Sequence, residues 1–329
     1  LDTERFKRIF VTGPNADNQT LLGDWAGEQP DDNVVTILEG IREGFGPSNI
    51  TYYACGDHRS ISDEDIDMVR QKASEADVSI IVVGDNSLRS YWHKRTNGEN
   101  SDRSNVALFG RQLEMVKAAH ASGKPVIVVL AVGKPTAIPW IKDNIPGVLL
   151  AWETGLYSGT AVADILLGKY NPSGKLPISF PRSSGQLPVF YNHRPSSYYR
   201  QYNDEPTGAL YPFGYGLNYS KVTYTNLSVP KNIMPGKPIP ISVTVTNAGS
   251  LPIDQTVLLF FRDNYSSVTT PVKSLLAFQK ITLKAHGTQQ VSFKIPFESL
   301  ALLNEAMEWT VEKGEFTFMI DNLKTHSRY

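Results

Sequence analysis

The hydrophobic pattern of this chain changes period once, near residue 220, and that change limits the possible architecture more than any other feature. Before it, apolar runs at residues 8–12, 50–53, 78–83, 125–132 and 147–151 alternate with amphipathic segments, the pattern of βαβ units and an open, mostly parallel sheet sandwiched by helices. Four of these runs are short, rich in β-branched residues and without alternation, as suits strands buried on both faces. Helices are expected at 34–45, capped from Asp31, Asp32 or Asn33, and at 62–75, where Ser62 and Asp65 come close to a capping box. Two more are expected at 111–121 and 159–167, followed by Gly123 and Gly168. After the change, alternating runs at 223–229, 239–247, 256–262, 275–282, 289–295 and 315–320 join a segment around Trp309. They make about seven strands, the count of an immunoglobulin-like sandwich. Between the two patterns a tyrosine-rich path punctuated by prolines, among them Pro172, Pro188 and Pro212, reads as an extended connector. The expected organisation is an α/β domain at 1–205, a connector at 206–220 and an all-β domain at 221–329.

Composition narrows the function classes. Hydrophobic residues make up 41% and charged residues 20%, values of a soluble globular chain. Thirty-two basic side chains against 33 acidic ones, with no basic stripe, give nucleic acid nothing to be drawn to. Apolar runs are too short to span a bilayer, so no membrane span is expected. Cys55 is the single cysteine, which excludes an internal disulfide, and the six histidines lack ligand spacing, so no metal and no cofactor are expected. Leu1 is not an initiator methionine, and a truncated or processed start is expected.

The chemistry concentrates in residues 84–112, GDNSLRSYWHKRTNGENSDRSNVALFGRQ. This segment leaves the carboxyl end of an expected parallel strand, where open α/β sheets bind ligands, and is too long and polar for a mere connection. Glu99 has two readings, a solvated loop carboxylate or a proton donor and acceptor in the cleft. Asp85, at the strand end, is expected to anchor the loop root by hydrogen bonds and is the second candidate acid. Asp102 is expected to orient Arg103. Trp92 and His93 lie near the loop tip, where an aromatic ring could stack on a ligand ring or pack against another domain. Glu153, at another strand end, reads as a peripheral contact. A phosphate loop at 168–175 fails on spacing, and G-x-S-x-G and G-x-G-x-x-G are missing.

Several motifs carry a resemblance over almost the whole chain: VTGPNAD (11–17), GDW (23–25), ILEGIREG (37–44), SEADVSIIVVGD (74–85), GKPVIVVL (123–130), WETGLYSGTAVADILLGKYNPSGKLPISFPRSSGQLP (152–188) and YPFGYGLNYS (211–220). They resemble the second domain of family 3 glycoside hydrolases, the β-glucosidases and β-xylosidases. The resemblance implies a fibronectin type III-like sandwich after the α/β domain, and it implies that Glu99, in an E-x-x-D/S-R pattern with Asp102 and Arg103, is the general acid/base. Three positions depart from the family: Asp85 stands where Glu is frequent, Phe109 where Pro is usual, and Glu153 where apolar or small residues are more frequent. The family's catalytic nucleophile lies in an N-terminal barrel to which nothing here corresponds. The implied partners are therefore that barrel and a β-glucoside or oligosaccharide, with a homodimer among the expected assemblies and a periplasmic or secreted location. The implied function is the C-terminal part of a retaining exo-β-glycosidase, a β-glucosidase first. A β-xylosidase, an exoglucanase or a non-catalytic carbohydrate-binding module are the alternatives.

Overall fold

The computed structural model describes residues 1–195 and 202–329. Contacts divide the chain into two compact units, Leu1–Tyr170 with Phe180–Leu187, and Asn171–Ser179 with Pro188–Tyr329. Boundaries read from the hydrophobic period and boundaries set by contact differ: residues 188–195, assigned by pattern to the first domain, belong by contact to the second unit.

The first unit runs β1 (Ile9–Thr12), α1 (Ile37–Phe45), β2 (Ile50–Tyr53), α2 (Asp63–Glu75), β3 (Val78–Gly84), α3 (Gln112–His120), β4 (Val126–Ala131), α4 (Pro139–Asn144), β5 (Gly147–Leu150) and α5 (Ser158–Leu166). Its strands are all parallel, in the order β2-β1-β3-β4-β5. β3 lies between β1 and β4 and all its residues are buried, which is why its sequence VSIIVVG shows no alternation. Ile9, Val11, Ile80, Val82 and Val129 meet Leu38, Ile41 and Val162 in one core. The helices α1 and α5 touch through backbone: a Cβ on Gly40 would fall 2.1 Å from the Gly159 main chain, so neither position has room for a side chain.

The five strands coincide closely with the apolar runs, and α2 carries the reciprocal Ser62–Asp65 capping box. Other ends differ. The expected helix at 34–45 begins at Ile37, because Thr36 and Glu39 form the capping box while Asp31–Asn33 make a separate 3-10 turn. Helix α4 went unanticipated, since a short segment opening on Pro139 shows no period to detect.

Strand order reverses between β1 and β3, so the loops after these two strands flank a crevice at the carboxyl edge of the sheet. The sequence placed the chemistry on one of those loops; the topology sets a second beside it.

The second unit contains β6 (Val222–Ser228), β7 (Ile239–Asn247), β8 (Ile253–Asp263), β9 (Ser274–Leu283), β10 (Thr288–Ile295), β11 (Leu302–Leu303), β12 (Trp309–Thr310), β13 (Glu315–Ile320) and β14 (Leu323–Arg328). Antiparallel sheets β10-β7-β6 and β14-β13-β8-β9 enclose a core of Val243, Val245, Val257, Leu259, Phe316 and Phe318. In β7 every second residue is buried, the alternation expected of a half-exposed sheet. Strand β14 escaped the sequence reading because LKTHSR is an edge strand with mostly polar side chains. Of the connector tyrosines, Tyr191 stacks on Phe213 at 4.3 Å and meets Phe260 edge-on within this unit; Tyr198 and Tyr199 lie outside the described residues.

Candidate active site

The loop after β3 starts from Asp85, whose N–H donates to the Ala131 carbonyl at 2.8 Å and so continues the sheet by one residue. Its carboxylate is buried, with Oδ1 2.9 Å from Arg103 Nη1 and Oδ2 accepting from Lys134 Nζ. Burial pushes the Lys134 ammonium below its ordinary range, although Asp85 pulls the other way. Asn15, from the loop after β1, donates to the Asp85 carbonyl at 2.8 Å, and its Oδ1 lies 3.0 Å from His58 Nε2. Each carboxylate oxygen thus faces a cation, which ties Asp85 into the root of the loop. The expected pairing of Asp102 with Arg103 is corrected here: Arg103 turns inward to Asp85 and the Ala107 carbonyl, while Asp102 is exposed. A buried carboxylate without a cation would cost far more than an exposed one, so the inner acid takes the guanidinium.

Glu99 sits on a tight turn. Gly98 has φ 96°, which favours glycine, and a Cβ there would fall 2.4 Å from Arg95 Nη2 and 2.7 Å from Asp24 Oδ2, so a side chain would displace both groups. The turn is held from two sides: Asp24 Oδ2, on the loop after β1, accepts the Glu99 N–H at 2.6 Å, and Arg95 Nη2, on Glu99's own loop, donates to the Glu99 carbonyl at 2.9 Å. Arg95 Nη2 is also 3.2 Å from Asp24 Oδ2. The Glu99 side chain is 49% exposed, and its Oε2 accepts from Arg89 Nη2. Arg89 in turn sets its Nε 3.1 Å from Asp24 Oδ1 and lies 3.8 Å over the Trp25 ring.

Asp24 is therefore the centre of this arrangement, and sequence reasoning gave it no role although it quoted the GDW motif. Burial alone would push its pKa up. The N–H groups of Glu99 and Trp25, together with Arg95 and Arg89, outweigh that and hold the carboxyl below its ordinary range. The signal in the sequence was the GDW motif alone; the structure shows that Gly23 and Trp25 both take positive φ, and that the turn holds a residue 75 positions away.

The other candidates separate. Trp92 lies on the 3-10 turn Arg89–Lys94, 52% exposed, with the Arg95 guanidinium 5.0 Å from its ring. Trp92, Asp102 and Arg103 line one open cleft of about 310 Å³, whereas Glu99 stands beside it and His93 and Asp85 do not line it. Glu153 accepts from Ser87 Oγ and so binds the start of the loop to the segment after β5. Among the described residues there is no group of three or more His, Cys, Asp or Glu side chains placed to hold a metal ion, and no helix is long and apolar enough to cross a membrane. What the site offers chemically is a half-exposed carboxylate with a fixed backbone, at the carboxyl edge of a parallel sheet.

Residues 1–219 match the glycosyl hydrolase family 3 C-terminal domain, and residues 255–323 match the fibronectin type III-like domain. A β-xylosidase of Formosa agariphila is 39% identical over 99% of the chain and 46% of its own length. A periplasmic β-glucosidase of Salmonella typhimurium is 36% identical over 95% of the chain and 44% of its own length. The chain thus spans about half the length of these curated relatives. Among solved structures, a β-glucosidase of Listeria innocua superposes with a TM-score of 0.89 at 28% identity, covering 98% of this chain and 46% of that one. The α/β unit with its loop-borne acid, the sandwich that follows and both domain matches agree: this chain belongs to glycoside hydrolase family 3.

Proposed function

We propose that the chain supplies the general acid/base, Glu99, of a retaining exo-β-glycosidase that releases terminal β-D-glucosyl residues by double displacement, with the nucleophile on an N-terminal barrel domain. The reading rests on one observation above all: Glu99 is half exposed while its backbone is fixed from both sides by Asp24 and Arg95. A glycosidic oxygen is a poor leaving group, so a carboxylic acid must protonate it as the bond breaks and then, as carboxylate, take a proton from water. Arg89 occupies Oε2, and Oε1 takes no hydrogen bond from the described residues, which leaves one oxygen to meet the substrate. Retention needs the second carboxyl about 5 to 5.5 Å away, within reach of a nucleophile delivered by another domain.

A β-xylosidase is the second reading, favoured by the Formosa agariphila relative. Rates on aryl β-glucoside and aryl β-xyloside separate the two. A periplasmic or secreted location is proposed from the Salmonella typhimurium relative.

The test is Glu99→Gln in the complete enzyme. Disaccharide hydrolysis should fall about 10²–10⁴-fold, while the first step on dinitrophenyl glucoside, whose leaving group needs little proton donation, should change far less. Azide, which needs no deprotonation, should then restore turnover. Intact disaccharide hydrolysis in this variant, with its loss in Asp85→Asn, would move the role to Asp85.

A further inference from the structure

The turn that seats Glu99 contains the only Asn-Gly pair of the chain, Asn97–Gly98. Such a pair is chemically labile, because the next backbone nitrogen can attack an asparagine side-chain amide, and glycine has no Cβ to shield that nitrogen. In a folded protein the attack depends on what holds the two groups. Among the described residues, neither the Gly98 N–H nor the Asn97 side-chain amide makes a hydrogen bond. Both residues are half-buried, and they lie between the 3-10 turn Arg89–Lys94 and α3, where no helix or strand fixes the chain. The Arg95 guanidinium packs on Gly98 and sets a positive charge beside the nitrogen that must lose its proton. The other asparagines of the loop are held differently. Asn86 is 2% exposed, with Oδ1 accepting the Leu88 N–H at 3.1 Å and Nδ2 donating to the Lys94 carbonyl at 3.2 Å. Asn100 precedes Ser101, whose N–H donates to the Gly98 carbonyl at 3.0 Å, and Asn105 precedes Val106, whose N–H donates to Ser184 Oγ at 3.0 Å.

We propose that Asn97 is a site of spontaneous deamidation, at which this loop ages. The Gly98 nitrogen bonds to Asn97 Cγ and gives up its proton, the Cγ–Nδ2 bond breaks, and Nδ2 leaves with that proton as ammonia. The five-membered succinimide so formed takes up one water and opens to aspartate or isoaspartate, so water is the sole co-reactant. Isoaspartate routes the backbone through the side-chain carbon and adds one atom to the main chain two residues before Glu99. That shift displaces the Glu99 N–H from Asp24 and the Glu99 carbonyl from Arg95. Either product also brings a second negative charge to Glu153. A Cβ on Gly133 would meet both Asn97 Nδ2 at 2.8 Å and Glu153 Oε1 at 2.7 Å, so amide and carboxylate are neighbours, and like charges there repel. The expected loss of activity rests on the reading of Glu99 as the acid; the chemistry at Asn97 does not.

The experiment incubates the complete enzyme in warm, mildly alkaline buffer and follows the tryptic peptide 96–103 by mass spectrometry, with disaccharide hydrolysis measured on the same samples. Exchange of amide for acid should appear at Asn97, rise with pH, and run at least about tenfold faster than at Asn86 or Asn100. Activity should fall in step with the converted fraction. Asn97→Gln, whose longer side chain cannot close the five-membered ring, should keep its starting activity and lose it more slowly. An Asn97 that stays intact in the folded enzyme while the denatured enzyme converts overturns the proposal. Equal rates at Asn97 and Asn100 overturn the argument from the free Gly98 N–H. Activity that persists as Asn97 converts, or decays equally fast in Asn97→Gln, overturns the link to the Glu99 turn. Conversion is read by mass without turnover, so a failure of Glu99 as the acid, seen in Glu99→Gln, would be recognised separately.

Discussion

Asp24 in the first unit is partly buried and Asp263 in the second is buried, and for each of them burial is the largest influence and disfavours the charged form. Their neighbours then differ in how far they offset it. Asp24 receives two backbone N–H groups and faces two guanidiniums, which hold its carboxyl below the ordinary range. Asp263 receives the Tyr265 N–H at 3.2 Å, has Glu312 near it and leaves Oδ2 without a hydrogen bond among the described residues, so its carboxyl stays above that range. The difference shows that donors and cations can outweigh burial at one acid and fall short of it at another. It also separates the units: charge is concentrated and organised where the loops after β1 and β3 converge, and the sandwich holds an acid whose single backbone donor does not offset its burial.

The largest expected contrast comes from deleting each acid. Asp24→Ala leaves the buried Arg95 without its carboxylate and should cost about 3–5 kcal/mol in denaturant unfolding. Asp263→Asn removes a charge that burial already opposes and should cost nothing measurable. Equal losses would break the comparison.

Next in size is His58, which burial pushes down to about 4 despite the pull of Asp57. The unfolded chain binds this proton first, so stability is fully present above about 6.5 and is lost as pH falls toward 4. The expected loss across that window is roughly 2–3 kcal/mol. His58→Gln should remove this slope from a plot of Tm against pH; an unchanged slope would mean that the imidazole is not kept neutral by its surroundings.

The smallest effect sharpens the sign of the aspartate contrast. Asp263, raised in the folded state, gives stability that is present below its unfolded value and lost as pH rises through its folded value. Asp24, lowered, gives stability present above its unfolded value and lost as pH falls. Asp263→Asn should therefore flatten a decline with rising pH in the acid range, and Asp24→Asn a decline with falling pH. Slopes of the same sign in both variants would contradict the assignment.

The strands of both units were legible because burial on one or two faces leaves a period in the chain itself, as in β3 and β7. Polar β14 and short α4 left none. Within the candidate site, the sequence located the loop and singled out Glu99, Asp85 and Trp92, but it joined Arg103 to Asp102, its neighbour in sequence. The fold joins Arg103 to Asp85, 18 positions away.

The sequence alone thus determined the two hydrophobic periods, the order of strands and helices along the chain, and the family motifs, all properties that a few consecutive residues can carry. The strand order that brings the β1 and β3 loops together was decided only by the tertiary structure. So were the seat of Glu99 on Asp24 and the sharing of each buried acid by two cations. The reason is that an ion pair's worth depends on distance and desolvation, and neither is written in the spacing of residues along the chain.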